Sequence, residues 1–198
     1  SEVLHSLIPS SLETAFRDNA QRPFAYCMGA TMPYRELDQL SAALGAWLQQ
    51  RGLEPGARVA IMLPNLPQFA VAMAAVLRAG YTCVNVNPLY TARELEHQLK
   101  DSGATVIIIL ENFASTLADV IEHTPLQHVL LSAVGDLLGP WYGRWLTFAV
   151  RHLAKRVPAY RIPLSKGLQV STLRRALKSG SQLSLRPANV KSSDTAFL

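Results

Sequence analysis

Residues 57–110 read ARVAIMLPNLPQFAVAMAAVLRAGYTCVNVNPLYTARELEHQLKDSGATVIIIL, and this stretch decides the fold. Val59–Leu63, Tyr81–Val86 and Thr105–Leu110 are short, β-branched runs bounded by Gly, Pro or Asn, the pattern of buried strands. Between the first two, Asn65 can cap a helix with Pro67 in its first turn that runs to Ala79 and stops at Gly80. Nearly every face of that helix is apolar, so it must be sandwiched in protein: Phe69, Val71, Met73, Val76 and Leu77 would each forfeit roughly 1.5 to 3 kcal/mol in water. The next helix opens on Thr91-Ala92-Arg93-Glu94 with capping-box spacing, carries Leu95 and Leu99 inward and ends at Gly103. A fourth strand, His128–Ser132, follows a helix starting near Asn112. Strands recurring about every 23 residues with helices between them predict an α/β fold with a largely parallel sheet flanked by helices and right-handed crossovers.

Upstream, Ser10 or Ser11 is expected to cap a short helix holding Leu12, Ala15 and Phe16, and Phe24–Tyr26 reads as a strand. An amphipathic helix from Arg35 to Arg51 places Leu37, Leu40, Leu44, Trp47 and Leu48 on one stripe, with Gly52 as its stop. Cys27 and Cys83 stand in apolar, strand-like surroundings without CxxC spacing and read as two reduced, buried thiols.

The formal net charge of +5 over 198 residues conceals a division. Residues 1–138 hold 8 Lys/Arg against 13 Asp/Glu, whereas residues 139–193 hold 11 Lys/Arg and no acid. Within that basic segment Trp141–Val157 has helical spacing, with Tyr142, Leu146, Ala149, Val150, Leu153 and Val157 on one arc and Arg144, Arg151 and Lys155 on the other. Trp141, Trp145 and Phe148 lie near the boundary, a composition that suits an interfacial membrane helix. The alternative is that the apolar arc packs on a core and the charges face water. Gly135, Gly139 and Gly143, spaced by four, read as loop and cap glycines rather than a packing face. Ser171 is expected to cap a short helix through Leu173, Ala176 and Leu177, and Leu185–Lys191 reads as an extended connector. The organisation expected is a lead-in and α/β core over 1–138, a basic amphipathic helix and loop over 139–165, and a short helix and connector over 166–198.

Chemistry-bearing motifs are sparse. There is no GxGxxG and no P-loop lysine motif, and no two glycines stand closer than four residues apart, so no loop is built to wrap phosphates. His123 and His128 have no third ligand nearby, and no metal site or catalytic residue is assigned. In open parallel sheets ligands collect beyond the carboxyl ends of the strands, here Pro64-Asn65, Asn85–Tyr90 and Glu111-Asn112. Asn65 and Asn112 read first as caps; Asn85 and Asn87 flank Val86 on a strand expected to be buried, so their amides need partners in a loop or a substrate. No nucleic-acid role is expected, because no aromatic of the basic segment is placed on a strand platform. The longest apolar run, Phe69–Leu77, is too short to cross a bilayer and the N-terminus lacks a signal-peptide pattern, which reads as cytoplasmic.

Taken together, Tyr34-Arg35-Glu36-Leu37, Gly52–Val59, Met62-Leu63-Pro64-Asn65, Leu77-Arg78-Ala79-Gly80, Asn85-Val86-Asn87-Pro88-Leu89-Tyr90-Thr91 and Arg93-Glu94-Leu95 resemble the N-terminal part of the acyl-adenylate-forming ligases. Among these the chain is most similar to bacterial long-chain fatty-acid CoA ligases, over essentially its whole length. The resemblance implies the N-terminal subdomain of the adenylate-forming ligase fold with a basic amphipathic helical insertion. It also implies a two-step reaction in which a fatty carboxylate attacks ATP, with Mg2+, and coenzyme A then displaces AMP. The phosphate loop, nucleotide contacts and C-terminal lysine of such ligases would lie beyond Leu198, so this chain alone is expected to be inactive and to bind none of these cofactors tightly.

The partners implied are the rest of the ligase chain, a long-chain fatty acid and, through the basic helix, an anionic membrane surface that would make the protein peripheral on the inner face of the cytoplasmic membrane. Asn87, Leu89, Tyr90 and Glu111 are the expected acyl or CoA surroundings. Trp141, Arg144, Trp145, Phe148, Arg151 and Lys155 are the expected membrane contacts. A face left uncovered by the absent lobe could pair two copies into a homodimer. The competing expectation is a stand-alone lipid or membrane-binding module derived from a ligase lobe.

Overall fold

The computed structural model describes residues 11–27, 30–163 and 167–187. A helix over 11–18 (α1) leads into an antiparallel pair, β1 (Pro23–Cys27) and β2 (Ala30–Pro33), which feeds α2 (Tyr34–Gln49). Then come β3 (Arg58–Met62), α3 (Pro67–Arg78), β4 (Thr82–Asn85), α4 (Ala92–Ser102), β5 (Val106–Leu110), α5 (Ala114–Ala118), β6 (His128–Ser132), α6 (Tyr142–Phe148), β7 (Gln169–Thr172) and α7 (Leu173–Gly180). Five strands form one sheet in the order β4-β3-β5-β6-β7, and every pairing is parallel.

Side chains alternate across a strand, and the two-residue period sorts the core into layers. Val59, Ile61, Val106, Ile108 and Leu130 face a layer that contains Leu44 and Leu48 of α2, Val71 and Val76 of α3 and Leu173 and Leu177 of α7. Ala60, Met62, Ile107, Ile109 and Val129 face Leu95 and Leu99 of α4 and Leu117 of α5. The sheet is therefore buried on both sides, which is why its strands read as continuous apolar runs. Gly180 makes the α2–α7 contact tight: a Cβ there would meet the Ala43 carbonyl oxygen at 1.9 Å. Arg78, buried at the end of α3, clamps three helices. It donates to Glu13 Oε1 at 2.8 Å, to Ser41 Oγ at 2.8 Å and to the Asp38 carbonyl at 2.9 Å.

Several local expectations change. The N-cap of α3 is Leu66, in extended backbone with no side-chain cap, not Asn65; Pro67 supplies the helical φ at the first position. Asn112 sits in a 3-10 turn, Glu111–Phe113, and donates through Nδ2 to the Arg156 carbonyl at 3.0 Å instead of capping α5. Thr172, not Ser171, caps α7, its Oγ1 accepting from Arg175 N. The glycines at 135 and 143 are a packing contact after all: a Cβ on Gly135 would lie 1.9 Å from Gly143 O, and Gly139 alone is a turn glycine, with φ of 86°. The sheet also extends beyond residue 138, because β7 pairs with β6 along its length and α7 returns onto α2. Ser10 and Phe197-Leu198 lie outside the described residues, as does most of the 185–191 connector. The Cys27 side chain lies outside what the structure describes, while Cys83 is a buried free thiol whose pKa is pushed up to about 12 by burial.

Candidate functional site

Numbered along the sheet, the order β4-β3-β5-β6-β7 is 2-1-3-4-5, so the direction of winding reverses between β3 and β5. Two cavities open at the carboxyl ends of the strands, one on each side of that reversal.

The first, about 500 Å3, lies over β3 and β4 and is walled by Leu63, Pro64, Asn65, Phe69 and the run Asn85–Pro88 with Tyr90. Asn85 and Asn87 are exposed rather than buried, since β4 is an edge strand whose carboxyl end is open to solvent, and only Val86 between them is enclosed. Asn87 Oδ1 accepts from Leu89 N at 3.0 Å, a local turn that Asn forms readily. The turn throws Leu89 into solvent, 84% exposed, while Tyr90 is half-buried and lines the cavity. The wall is held from behind by α4, whose Gln98 Nε2 donates to Asn85 O at 3.0 Å and whose N-terminus is closed by the Thr91–Glu94 capping box. The Thr91 amide and hydroxyl hold the Glu94 carboxyl below its usual range.

The second cavity, about 330 Å3, lies over β5, β6 and β7. Glu111, the first residue past β5, is buried, and Arg151 closes on it in a bidentate pair: Nε to Oε1 at 2.8 Å and a terminal nitrogen to Oε2 at 2.6 Å. The carboxylate hydrogen bond keeps Arg151 more firmly protonated than usual. Tyr160 beside it has its phenol pKa raised, by burial first and then by the Glu111 charge. A second pair stands across the cavity, Arg174 Nε to Asp136 Oδ1 at 2.8 Å, and Asp136 Oδ2 also accepts from Ala133 N at 2.8 Å. Gln68, fully buried on α3, donates to the Ala133 carbonyl at 2.8 Å and so ties β6's exit loop to the neighbouring helix.

Arg151 belongs to a stretch of wide i to i+5 winding, Ala149–Leu153, that continues α6, a geometry frequent at functional sites. That helix turns Gly143 inward, where it meets Gly135, while Trp141, Tyr142, Trp145, Phe148 and Leu153 are exposed, Trp141 by 84%. Arg144 on α6, and Lys155 and Arg156 just past its continuation, are also exposed. Arg151 was expected with them on the cationic arc; its guanidinium instead faces inward to Glu111.

The residues predicted from sequence are thus divided. Asn87 and Tyr90 share one cavity, Glu111 lies in the other and Leu89 lines neither. Asp136, Arg174 and Tyr160 were missed. The one available signal was that Asp136 is the last acid before an entirely basic stretch, which marks it as the counter-charge. Among the described residues no three metal-ligating side chains come together, and no helix is long and apolar enough to cross a membrane.

Residues 12–157 match the family model described as AMP-binding enzyme. The long-chain-fatty-acid–CoA ligase of Salmonella typhimurium is 46% identical over 180 residues, covering 90% of this chain and 31% of that protein. The ligase of the same name from Yersinia pestis is 43% identical over 195 residues, 98% of this chain and 34% of its own length. The chain therefore spans about a third of the curated relatives it matches. Among solved structures, the A domain of a carboxylic acid reductase from Segniliparus rugosus superposes with a TM-score of 0.74 at 16% identity. A long-chain-fatty-acid-CoA ligase from Archaeoglobus fulgidus does so with 0.67 at 18%. Each alignment covers 96% of this chain and 33% of that one, and at such identity it shows the shared fold.

Proposed function

This chain belongs to the AMP-binding enzyme family, and on that premise we propose that it is the N-terminal part of a long-chain fatty-acid CoA ligase. The observation that carries the reading is the identity of 41 to 46% to ligases of that activity, sustained over nine-tenths or more of the chain. The whole protein would convert ATP, a long-chain fatty acid and coenzyme A into acyl-CoA, AMP and pyrophosphate, with Mg2+ balancing the phosphate charge.

Within this chain no residue is assigned to ATP or Mg2+. Two of the three arginines that line the carboxyl-end cavity, Arg151 and Arg174, are already neutralised by Glu111 and Asp136, and a paired guanidinium is a poor receptor for a triphosphate; the third, Arg144, is exposed on α6. What the described residues supply is a wall. The cavity bounded by Phe69, Asn87 and Tyr90, with exposed Leu89 on its turn, has the mixed apolar and amide lining that suits an acyl or pantetheine chain. Glu111 acts at one remove, by fixing the Arg151 turn and with it α6.

We also infer that α6 rests on an anionic membrane surface, in a protein otherwise in the cytoplasm. Five exposed apolar or aromatic side chains with Arg144, Lys155 and Arg156 beside them support this, each basic group contributing about 1 kcal/mol near such a surface. Arg151 is left out of that count because Glu111 holds it. The further partner is the rest of the ligase chain, and a second copy could cover the same apolar surface.

Activity is tested on purified protein carrying this sequence within its full ligase chain, by AMP release with a C16 acid and coenzyme A. The expected result is release that requires both; release unaffected by omitting the fatty acid would overturn the assignment. Tyr90→Ala is expected to raise KM for the acid or for coenzyme A about tenfold with kcat little changed, as loss of uniform binding requires. For the membrane reading, vesicle sedimentation should show capture by anionic but not neutral vesicles at low salt, abolished in Trp141→Ser/Trp145→Ser. Equal behaviour toward both lipids rejects it.

A further inference from the structure

A third cavity, about 350 Å3, lies at the opposite end of the sheet, where the amino ends of β6 and β7 meet the carboxyl end of α2 and one face of α7. Nothing in the proposed ligase chemistry uses it. Arg51 and Arg175 both line it, no carboxylate does, and among the described residues neither guanidinium has an ion-pair partner. In the carboxyl-end cavity, by contrast, two of the three arginines in the lining, Arg151 and Arg174, each have their own acid, and the third, Arg144, is exposed on α6.

Two buried polar atoms there are also unsatisfied. Arg51 lies with its guanidinium carbon 4.5 Å above the Trp47 ring, a position that fixes its plane, yet its buried Nε has no partner. His128 is 7% exposed and lines the same cavity, and its Nδ1 has no partner either. Burial, and then the Arg51 charge, lowers the His128 pKa and so favours the neutral ring. Buried donors without partners are rare in folded proteins and call for a group that supplies the acceptor. The Ser171 and Ser179 hydroxyls complete the lining the argument needs.

Helix dipoles do not account for both cations. Arg51 follows the carboxyl end of α2, where positive charge is favoured. Arg175, however, sits in the first turn of α7, where a cation is disfavoured; its neighbour Arg174 is compensated there by Asp136, and Arg175 is not. An anion in the cavity would neutralise both guanidinium charges and accept from Arg51 Nε, and the His128 ring can donate to it in the tautomer that carries its proton on Nδ1. Guanidinium forks match tetrahedral oxyanions bidentately, and hydroxyl and imidazole donors fill the remaining oxygens.

We propose that this cavity is a binding site for a small phosphate-bearing anion, gripped by Arg51 and Arg175 with Ser171, Ser179 and His128 Nδ1 around it. Its size admits a phosphate with a short organic group and excludes a polymer. The site is separated from the carboxyl-end cavities by the length of the strands, so it would report to the ligase from a distance and not join in its chemistry.

The test is calorimetric titration of the protein carrying this sequence within its full ligase chain, with inorganic phosphate and, separately, with glycerol 3-phosphate. One-to-one saturable binding of either is expected; tighter binding of glycerol 3-phosphate identifies an organic phosphate as the ligand, and equal binding identifies the free ion. Arg175→Gln should weaken binding about tenfold, whereas Lys178→Gln, the same charge change on the same helix but outside the cavity, should change it less than about twofold. The His128 ring resonances should shift on titration in the parent and not in Arg175→Gln. Should Arg175→Gln fold poorly, Ser179→Ala carries the same comparison without altering charge. Equal weakening by Arg175→Gln and Lys178→Gln, or no saturable binding in the millimolar range, would overturn the proposal.

Discussion

The two ends of one sheet treat arginine in opposite ways. At the carboxyl end two of the three arginines lining the cavity, Arg151 and Arg174, meet Glu111 and Asp136 at 2.6 to 2.8 Å, both acids being nearly enclosed, while Arg144 stands exposed on α6. At the amino end Arg51 and Arg175 face a cavity whose described lining holds no carboxylate. The difference teaches which charges hold the fold and which are available to a ligand: a compensated guanidinium fixes a helix, and an uncompensated one is a receptor.

The comparison breaks most severely at the backbone beneath the compensated end. Gly135→Ala places a methyl group 1.9 Å from Gly143 O, so the exit loop of β6 and α6 must separate, and about 3 kcal/mol of stability should be lost in urea unfolding. Gly139→Ala, in open space but at φ of 86°, should cost only about 1 kcal/mol. If the two variants unfold alike, close approach is not what joins α6 to the sheet.

Arg151→Ala comes next. It strands the buried Glu111 carboxylate and should lower stability by about 2 kcal/mol, less than the roughly 3 to 5 of a fully enclosed pair because the guanidinium is half in water. Arg174→Ala should follow it in direction. A neutral result for both would mean that the carboxyl-end pairs are ornamental.

Acidification sharpens the contrast from the other side. His128 has a lowered pKa in the folded chain, so between that value and the usual 6.5 the unfolded chain binds the extra proton. Its contribution is complete above about 6.5, falls as the pH drops toward the folded value and then levels off. Urea midpoints taken at descending pH should show this loss in the parent and a smaller one in His128→Gln; saturating phosphate should reduce it if the anion favours the protonated ring. The smallest effect is expected for Arg175→Ala, within about 0.5 kcal/mol by the same unfolding measurement, because no described partner is lost.

Much of the sheet could be read directly from the sequence. The strands at 58–62, 82–85, 106–110 and 128–132 lie within about a residue of where β-branched runs bounded by Gly, Pro and Asn placed them. Both ends of α4 were equally plain, because a capping box and a left-handed glycine are local devices: Gly103 has φ of 65° and Thr91 accepts from Glu94 N. β7 escaped notice since Gln169-Val170-Ser171-Thr172 has one apolar residue and becomes a strand only by pairing with β6. β2 was hidden likewise, Ala30–Pro33 gaining its identity from β1.

The site was legible in part. The Asn85–Tyr90 run could be located at a strand's carboxyl end, but the turn made by Asn87, which exposes Leu89 and turns Tyr90 to the cavity, follows from β4 being an edge. Glu111 was singled out without its partner, because Arg151 stands 40 residues away and enters through the crossover from β6 to β7. The family, by contrast, declared itself through short motifs in fixed order, all of which lie within the matched residues 12–157.

What the sequence determined by itself is the succession of strands and helices, their approximate bounds and the family. Each of those depends on neighbours within a few residues, through side-chain period, capping and turn chemistry. The tertiary structure alone decided the winding order, the contact of Gly135 with Gly143 and which of the described basic residues in the segment 139–193 are neutralised. Compensation of charge depends on distance in space, and the topology that brings Arg151 to Glu111 leaves Arg51 and Arg175 facing a cavity with no acid among the described residues to answer them.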